Sequence, residues 1–316
     1  MLSTLAMRLA LFGQAAFGQE VLAGLAGRGH EIALVYAPPE KGGRVDPLAA
    51  EASKRGLPLR TPSGYKSPEV AAEVAAVGAD LGVLAFVTKI VPPAVIDAPR
   101  LGTLCFHPSL LPRYRGGSAL AWQLIRGEKR GGFTVFWTDP GIDTGPILLA
   151  REVEIGPDDT AGSLYFDKIF KPGAAAMVEA VDLVAAGRAP RIAQDEALAT
   201  YDPLCSESHA AVRWGRPASE VYDLVRGCDP QPGAHAQWQG GKVHLFDARP
   251  VPGVAGSRPG TVLAADGEGV VVAVGPGGAG ALRFARLRGP GPKARAIEVA
   301  NALSLQPGAV LGDGLG

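Results

Sequence analysis

The sequence predicts an α/β fold, a doubly wound and mostly parallel sheet, followed by a small all-β barrel or sandwich. Three observations predict it. Over the first 110 residues short apolar runs alternate with amphipathic stretches, as in successive βαβ units. Those runs are apolar on both faces, as strands covered by helices on both sides must be. Toward the C-terminus the helical periodicity gives way to Gly-punctuated strands separated by turn signals.

The elements follow in order. "MRLALFG", "EIALVYA", "LPLRT", "LGVLAFV" and "GTLCFHP" read as strands, and "GQEVLAGLAGRGH", "PLAAEASKRG" and "PEVAAEVAAVGA" as the helices between them. "SALAWQLIRGEK" then reads as a helix, "GGFTVFWT" as a strand, "DPGIDTGP" as a tight loop and "ILLAREVEI" as another strand. "DDTAGSLYFDKIFKPGAAAMVEAVDLVAAGR" is one helix or a pair, capped by Asp158, Asp159 or Thr160 and stopped near Gly187. The expected division is a first domain over 1–188, a polar linker over 189–207 and a β domain over 208–316, which opens on the helix "PASEVYDLVRG". Its strands are "KVHLFDARPV", "GTVLAADGEGVVVAVG" and "ALRFARLRG". No internal repeat is present.

Composition narrows the function. The 316 residues are 47% hydrophobic and 20% charged, with 31 Lys and Arg balancing 31 Asp and Glu, which disfavours nucleic acid as the main partner. The three cysteines, Cys105, Cys205 and Cys228, are far apart with no CxxC pair, so neither a disulfide framework nor a zinc site is expected, and a reducing cytoplasm fits best. "MLSTLAMRLALFGQAAFG" reads as a first strand with a short leader rather than a signal peptide, with Met7 an alternative start. "LGVLAFVTKIVPPAVI" is broken by Lys89 and two prolines, so no membrane span is expected.

Three segments carry chemistry. "FGQAAFGQE" follows the first strand but lacks GxGxxG, and no acidic residue closes the second strand, so it reads as a strand-to-helix turn and not as a dinucleotide site. His107 ends a parallel strand, where open α/β sheets place their ligand crevice, and the loop after it brings Ser109, Arg113, Arg115 and Gly116. "TDPGIDTGP" turns sharply through Pro140, Gly141 and Gly145, which pushes Asp143 into a cleft, while Asp139 is placed to cap the turn.

The stretch "FHPSLLPRYRGGSALAWQLIRGEKRGGFTVFWTDPGIDTGPILL" resembles the folate-dependent formyltransferase family. Within it the chain is most similar to the hydrolase domain of 10-formyltetrahydrofolate dehydrogenase, through "FGQEV", "DPLAAEASKRGLPL", "IDAPR" and "VRGCDPQPGA", and it is also similar to methionyl-tRNA formyltransferase. The resemblance implies a Rossmann-like domain followed by an OB-like β-barrel, with 10-formyltetrahydrofolate as formyl donor and no metal. It carries catalysis onto His107 and Asp143. An imidazole can donate to the tetrahedral oxyanion or move the nucleophile's proton, and a carboxylate beside it favours the imidazolium and orients the attacking group. Ser109 is placed to fix the His or to fasten the loop.

The family pattern sets the pterin against Phe86, Val87, Thr88, Lys89, Ile90 and Val91 and the loop holding Asp139, Gly141 and Ile142, with Leu104 and Ile142 packing its faces. Lys89, Arg113 and Arg115 are candidates for the folate carboxylates. Cys105 departs from the pattern, standing where most members place an Asn whose amide donates to the oxyanion. Three readings stay open: a plain strand residue, a nucleophile carrying formyl as a thioester, or a domain that binds formyl-folate and turns it over poorly. Among Lys242, Arg249, Arg258, Arg283, Arg286, Arg288, Lys293 and Arg295, alternation in "LRFARLR" sets several arginines on one strand face, read first as solvated. The expected activity is formyl transfer from folate to water or a small amine; formylation of methionyl-tRNA, and a non-catalytic folate-binding module, are the rivals.

Overall fold

The computed structural model describes residues 6–314; the leader expected before the first strand falls largely outside them. In chain order the first elements are β1 (Arg8–Gly13), α1 (Ala15–Gly27), β2 (Glu31–Tyr36), α2 (Pro47–Lys54), β3 (Leu59–Arg60), α3 (Pro68–Ala76), β4 (Leu81–Ala85), α4 (Pro93–Ile96) and β5 (Thr103–His107). Then come α5 (Ala119–Ile125), β6 (Arg130–Trp137), β7 (Ile147–Glu154), α6 (Ala161–Ser163), a π-helical turn (Leu164–Ile169) and α7 (Phe170–Ala185). The remainder is α8 (Ala218–Gly227), β8 (Ala234–Trp238), β9 (Gly241–Pro252), β10 (Val262–Asp266), β11 (Gly269–Val274), β12 (Gly280–Arg288), β13 (Ala294–Arg295) and α9 (Ala296–Ala302). No described helix is long and apolar enough to cross a membrane.

The chain forms two compact units. One takes the chain up to Gly116 with Gly131–Val153 and Phe166–Tyr201; the other takes Gly117–Arg130, Glu154–Tyr165 and the chain from Asp202 onward. Two short segments before the expected 189–207 linker, Gly117–Arg130 and Glu154–Tyr165, thus group with the second unit. The backbone bridge of Ile147 with Ile192, closed by hydrogen bonds of 2.7 and 2.9 Å, holds the start of that stretch to the first sheet.

The first unit holds a seven-stranded sheet in the order β3-β2-β1-β4-β5-β6-β7. β1 to β5 are parallel, and β6 runs antiparallel to β5. β1 can sit against β4 because Gly13 has no Cβ, which would lie 2.7 Å from the carbonyl oxygen of Ala85. In the Gly-rich turn the amide of Ala15 donates to both carboxylate oxygens of Asp46, at 3.1 and 2.9 Å, and Asp46 also caps α2 through Leu48 N–H. A carboxylate thus occupies the amide a nucleotide phosphate would use at this helix start.

β5 alternates in the way that matters for function. Leu104 and Phe106 point into the core, where the Phe106 ring lies 4.5 Å from that of Phe17 in α1. Gly173 of α7 packs against the same ring. Fully burying side chains of this size contributes about 1.5–3 kcal/mol each, so the strand is pinned from one face while Cys105 and His107 project from the other.

The second unit holds a six-stranded sheet ordered β10-β11-β12-β9-β8, with β13 on β12. Residues 310 and 312 bridge Thr261, next to β10, and Gln237 in β8, so one short segment joins both sheet edges and the sheet is rolled into a barrel. Trp214, Val221, Val225, Leu245, Val272, Leu282 and Phe284 fill its interior. The expected arginine face is interrupted: Phe284 pairs with Ala248 and Arg286 with Phe246, while the facing residues Ala285 and Asp247 drop out of the ladder with Asp247 at φ +52°. Arg283 is paired with Asp266 and Arg286 with Asp247, so these two cations are already answered by carboxylates.

Candidate active site

His107 is buried, at 6% exposure, and its two ring nitrogens have separate partners. Nε2 lies 2.7 Å from the carbonyl oxygen of Tyr114. A carbonyl only accepts, so Nε2 carries a proton and donates it, which leaves Nδ1 as the nitrogen that can exchange one. Nδ1 faces Asp143, 3.5 Å from Oδ2. That separation suits an ion pair without a direct hydrogen bond, and a third polar atom can join the two groups.

The loop between β6 and β7 is shaped to present that carboxylate. Asp139 Oδ1 accepts from Gly141 N–H at 3.0 Å and from the Thr144 hydroxyl at 2.6 Å, an Asx turn. Gly145 is compulsory, because a Cβ there would lie 1.7 Å from the carbonyl oxygen of Trp137. Asp143 itself has φ +56°, a left-handed conformation that Asp tolerates better than most residues, and its Oδ2 accepts from Gly116 N–H at 2.8 Å. The carboxylate is therefore tied to the loop that follows β5.

Further residues hold this arrangement, and apart from Arg115 residue type alone did not single them out. Gln194 donates from Nε2 to the carbonyls of Asp143 and Gly145, at 2.9 and 2.7 Å, while its Oε1 accepts from Arg115 at 2.8 Å. Arg115 closes a two-pronged pair with Glu196 at 2.9 and 2.7 Å. Tyr114, with φ +61°, receives its backbone support from Thr200 Oγ1 at 2.7 Å. All three supports come from the polar stretch after α7, which offered no periodicity to read.

Several expected binding residues are placed otherwise. Arg115 is 7% exposed and committed to Glu196 and Gln194, so it braces the site and is not available to a folate carboxylate. Ser109 is fully buried and donates to the Arg113 carbonyl at 2.6 Å, which fastens the loop and leaves His107 to Tyr114. Leu104 is fully buried in the core and cannot face a ligand. The Cys105 thiol is pushed strongly up by burial and then by Asp143, the opposite of what a thioester carrier needs.

Other expected residues remain accessible. Ile90 and Ile142 are exposed apolar side chains, 71% and 49%, on the loops after β4 and β6. Thr88 and Lys89 are exposed, Phe86, Val87 and Val91 partly so, and Lys89 Nζ donates to the Ser63 carbonyl. Among the described residues the backbone groups of Val87 to Val91 make no main-chain hydrogen bond. Arg113 lies 5.3 Å over the Tyr114 ring.

The chain is 42% identical over 277 residues to human cytosolic 10-formyltetrahydrofolate dehydrogenase, a match that takes in 82% of this chain and 30% of that protein's length. It is 34% identical over 313 residues to methionyl-tRNA formyltransferase of Moorella thermoacetica, covering 97% of this chain and 99% of the relative. Among solved structures, HypX from Aquifex aeolicus in complex with tetrahydrofolic acid shares the fold, with a TM-score of 0.68 and 23% identity over 94% of this chain and 47% of that one. The sequence pattern of the formyl transferase family spans residues 7–181 and that of the formyl transferase C-terminal domain residues 205–303, and the chain therefore belongs to the formyl transferase family.

Proposed function

We propose that this protein takes the formyl group of 10-formyltetrahydrofolate and passes it to water or to a small amine, with His107 and Asp143 as the proton-handling pair. The observation that carries the reading is the divided use of the imidazole: Nε2 is held by Tyr114 while Nδ1 faces Asp143 at 3.5 Å. The donor fits the surroundings. Unpaired backbone groups at Val87 to Val91 suit the hydrogen-bonding edge of a pterin, and exposed Ile90 and Ile142 suit its flat faces.

The chemistry follows from the placement. The nucleophile attacks the formyl carbon, and the proton it sheds passes to the His107–Asp143 pair. The tetrahedral oxyanion accepts a hydrogen bond from protonated Nδ1. Collapse breaks the bond from carbon to N10, and the pair returns the proton to N10, giving tetrahydrofolate and either formate or a formylated amine. The Cys105 thiol stays protonated and offers only a weak donor.

Methionyl-tRNA formylation is the second reading, favoured by the end-to-end match to the Moorella relative. Incubation with 10-formyltetrahydrofolate, with and without candidate amines, separates the possibilities by the products. Formate or a formylated small amine supports the proposal. Turnover that requires charged initiator tRNA supports the second reading, and binding without turnover overturns both in favour of a folate-binding module.

A further inference from the structure

Outside the folate site, the second unit gathers two imidazoles and a carboxylate that the sequence keeps apart. His235 in β8 and His244 in β9 are directly opposed across the antiparallel pair, with ring centroids 5.6 Å apart. Glu207 reaches them from the segment before α8. Its Oε2 lies 3.8 Å from His235 Nδ1 and its Oε1 lies 3.7 Å from His244 Nε2, both too long for hydrogen bonds. One ligand atom from each of the three lies within 4.8 Å of the others.

Among the described residues the nitrogens are unsatisfied. His235 is 2% exposed, and its Nδ1 is buried without a hydrogen-bond partner among them, as are both ring nitrogens of His244. Buried polar atoms are normally paired, so two orphaned lone pairs aimed at one carboxylate point to a missing electrophile. A proton shared with Glu207 would draw the groups to hydrogen-bond distance, which they do not reach.

We propose that Glu207, His235 and His244 bind a first-row divalent transition metal, zinc foremost, that ties the Glu207 segment to the β8–β9 pair. Two imidazoles with one carboxylate are a donor set that zinc takes at about 2.0–2.2 Å, with water in the remaining position. Tetrahedral bonds of that length place ligands about 3.4 Å apart, so the present spacing needs a small inward rotation of side chains. The competing cation is Lys242, whose Nζ lies 2.8 Å from Glu207 Oε2; its side chain is 43% exposed and can swing into solvent. Arg288 lies near His244 and disfavours the ion at longer range.

The test strips the full-length protein with a chelator and titrates Zn²⁺ against a chromophoric competitor and Co²⁺ by visible absorption. One equivalent is expected at micromolar affinity or tighter, weakened at least about tenfold by Glu207→Gln and by His244→Gln and unchanged or tightened by Lys242→Met. Glu207 is half exposed, so its substitution does not depend on repacking the barrel. Cobalt should show d–d bands without thiolate charge transfer, since the thiols of Cys205 and Cys228, 3.9 Å apart, are the other soft donors of this unit. Absence of stoichiometric binding, parental affinity in both variants, or binding abolished by Cys205→Ser instead, each overturns the proposal.

Discussion

Asp143→Asn removes one charge and almost no volume, which makes it the sharpest probe of the site. The amide oxygen can still accept from Gly116 N–H, and Asn adopts positive φ as readily as Asp, so the loop should keep its shape. What disappears is the attraction between the carboxylate and an imidazolium 3.5 Å away. At an effective dielectric near 20 that attraction is about 5 kcal/mol. Asp143 is 17% exposed along its side chain, so solvent screens part of it, and a loss of about 2–4 kcal/mol is the working figure. The imidazolium is fullest in the transition state, so the loss falls on turnover. We expect kcat for formyl release from 10-formyltetrahydrofolate to drop roughly thirtyfold to a thousandfold, with KM for the folate within about threefold of the parent. The assay is initial-rate release of tetrahydrofolate and formate, with thermal unfolding run beside it. A variant that melts with the parent and turns over within threefold of it would refute this reasoning.

Gly145→Ala must push the loop away from the Trp137 carbonyl, so turnover should fall by more than about tenfold through misplacement of Asp143, read as a kcat loss with folate binding retained. Cys105→Ala should keep turnover within about fivefold, and mass spectrometry of the enzyme quenched during turnover should show no formyl adduct; trapping an adduct on Cys105 would restore the covalent route. Asp247 is held below the usual 3.8 chiefly by its hydrogen bond from Arg286, so the stability it contributes is full above about pH 4 and is lost as pH falls through the lowered value. Asp247→Asn should therefore destabilise the protein by about 0.5–1 kcal/mol in denaturant melts at pH 7, and by visibly less near pH 3; an equal cost at both would contradict this assignment.

The parallel sheet was legible because β1, β2 and β4 are apolar on both faces, a pattern that only covered strands can carry. His107 and Asp143 were legible for a different reason: each stands at a position where Gly and Pro neighbours force a turn, so the side chain has to leave the sheet. The residues that brace them were not. Tyr114 acts through its carbonyl, which any residue possesses, and Gln194 and Glu196 lie in a polar stretch without period. Arg115 looked like an anion site in sequence because its own anion, Glu196, arrives from the far end of the unit. In the barrel, the break in pairing at Asp247 and Ala285 interrupts the alternation of "LRFARLR", and register alone sets His235 opposite His244.

The proton-handling pair is tested most directly by a double-substitution cycle on turnover of formyl-labelled 10-formyltetrahydrofolate, comparing His107→Asn, Asp143→Asn and the two together. The account predicts that each single change costs at least about thirtyfold and that the double change costs little more than the worse single one, because the two groups act on one proton. Costs that simply multiply, or label released at the parental rate by the double variant, would contradict it.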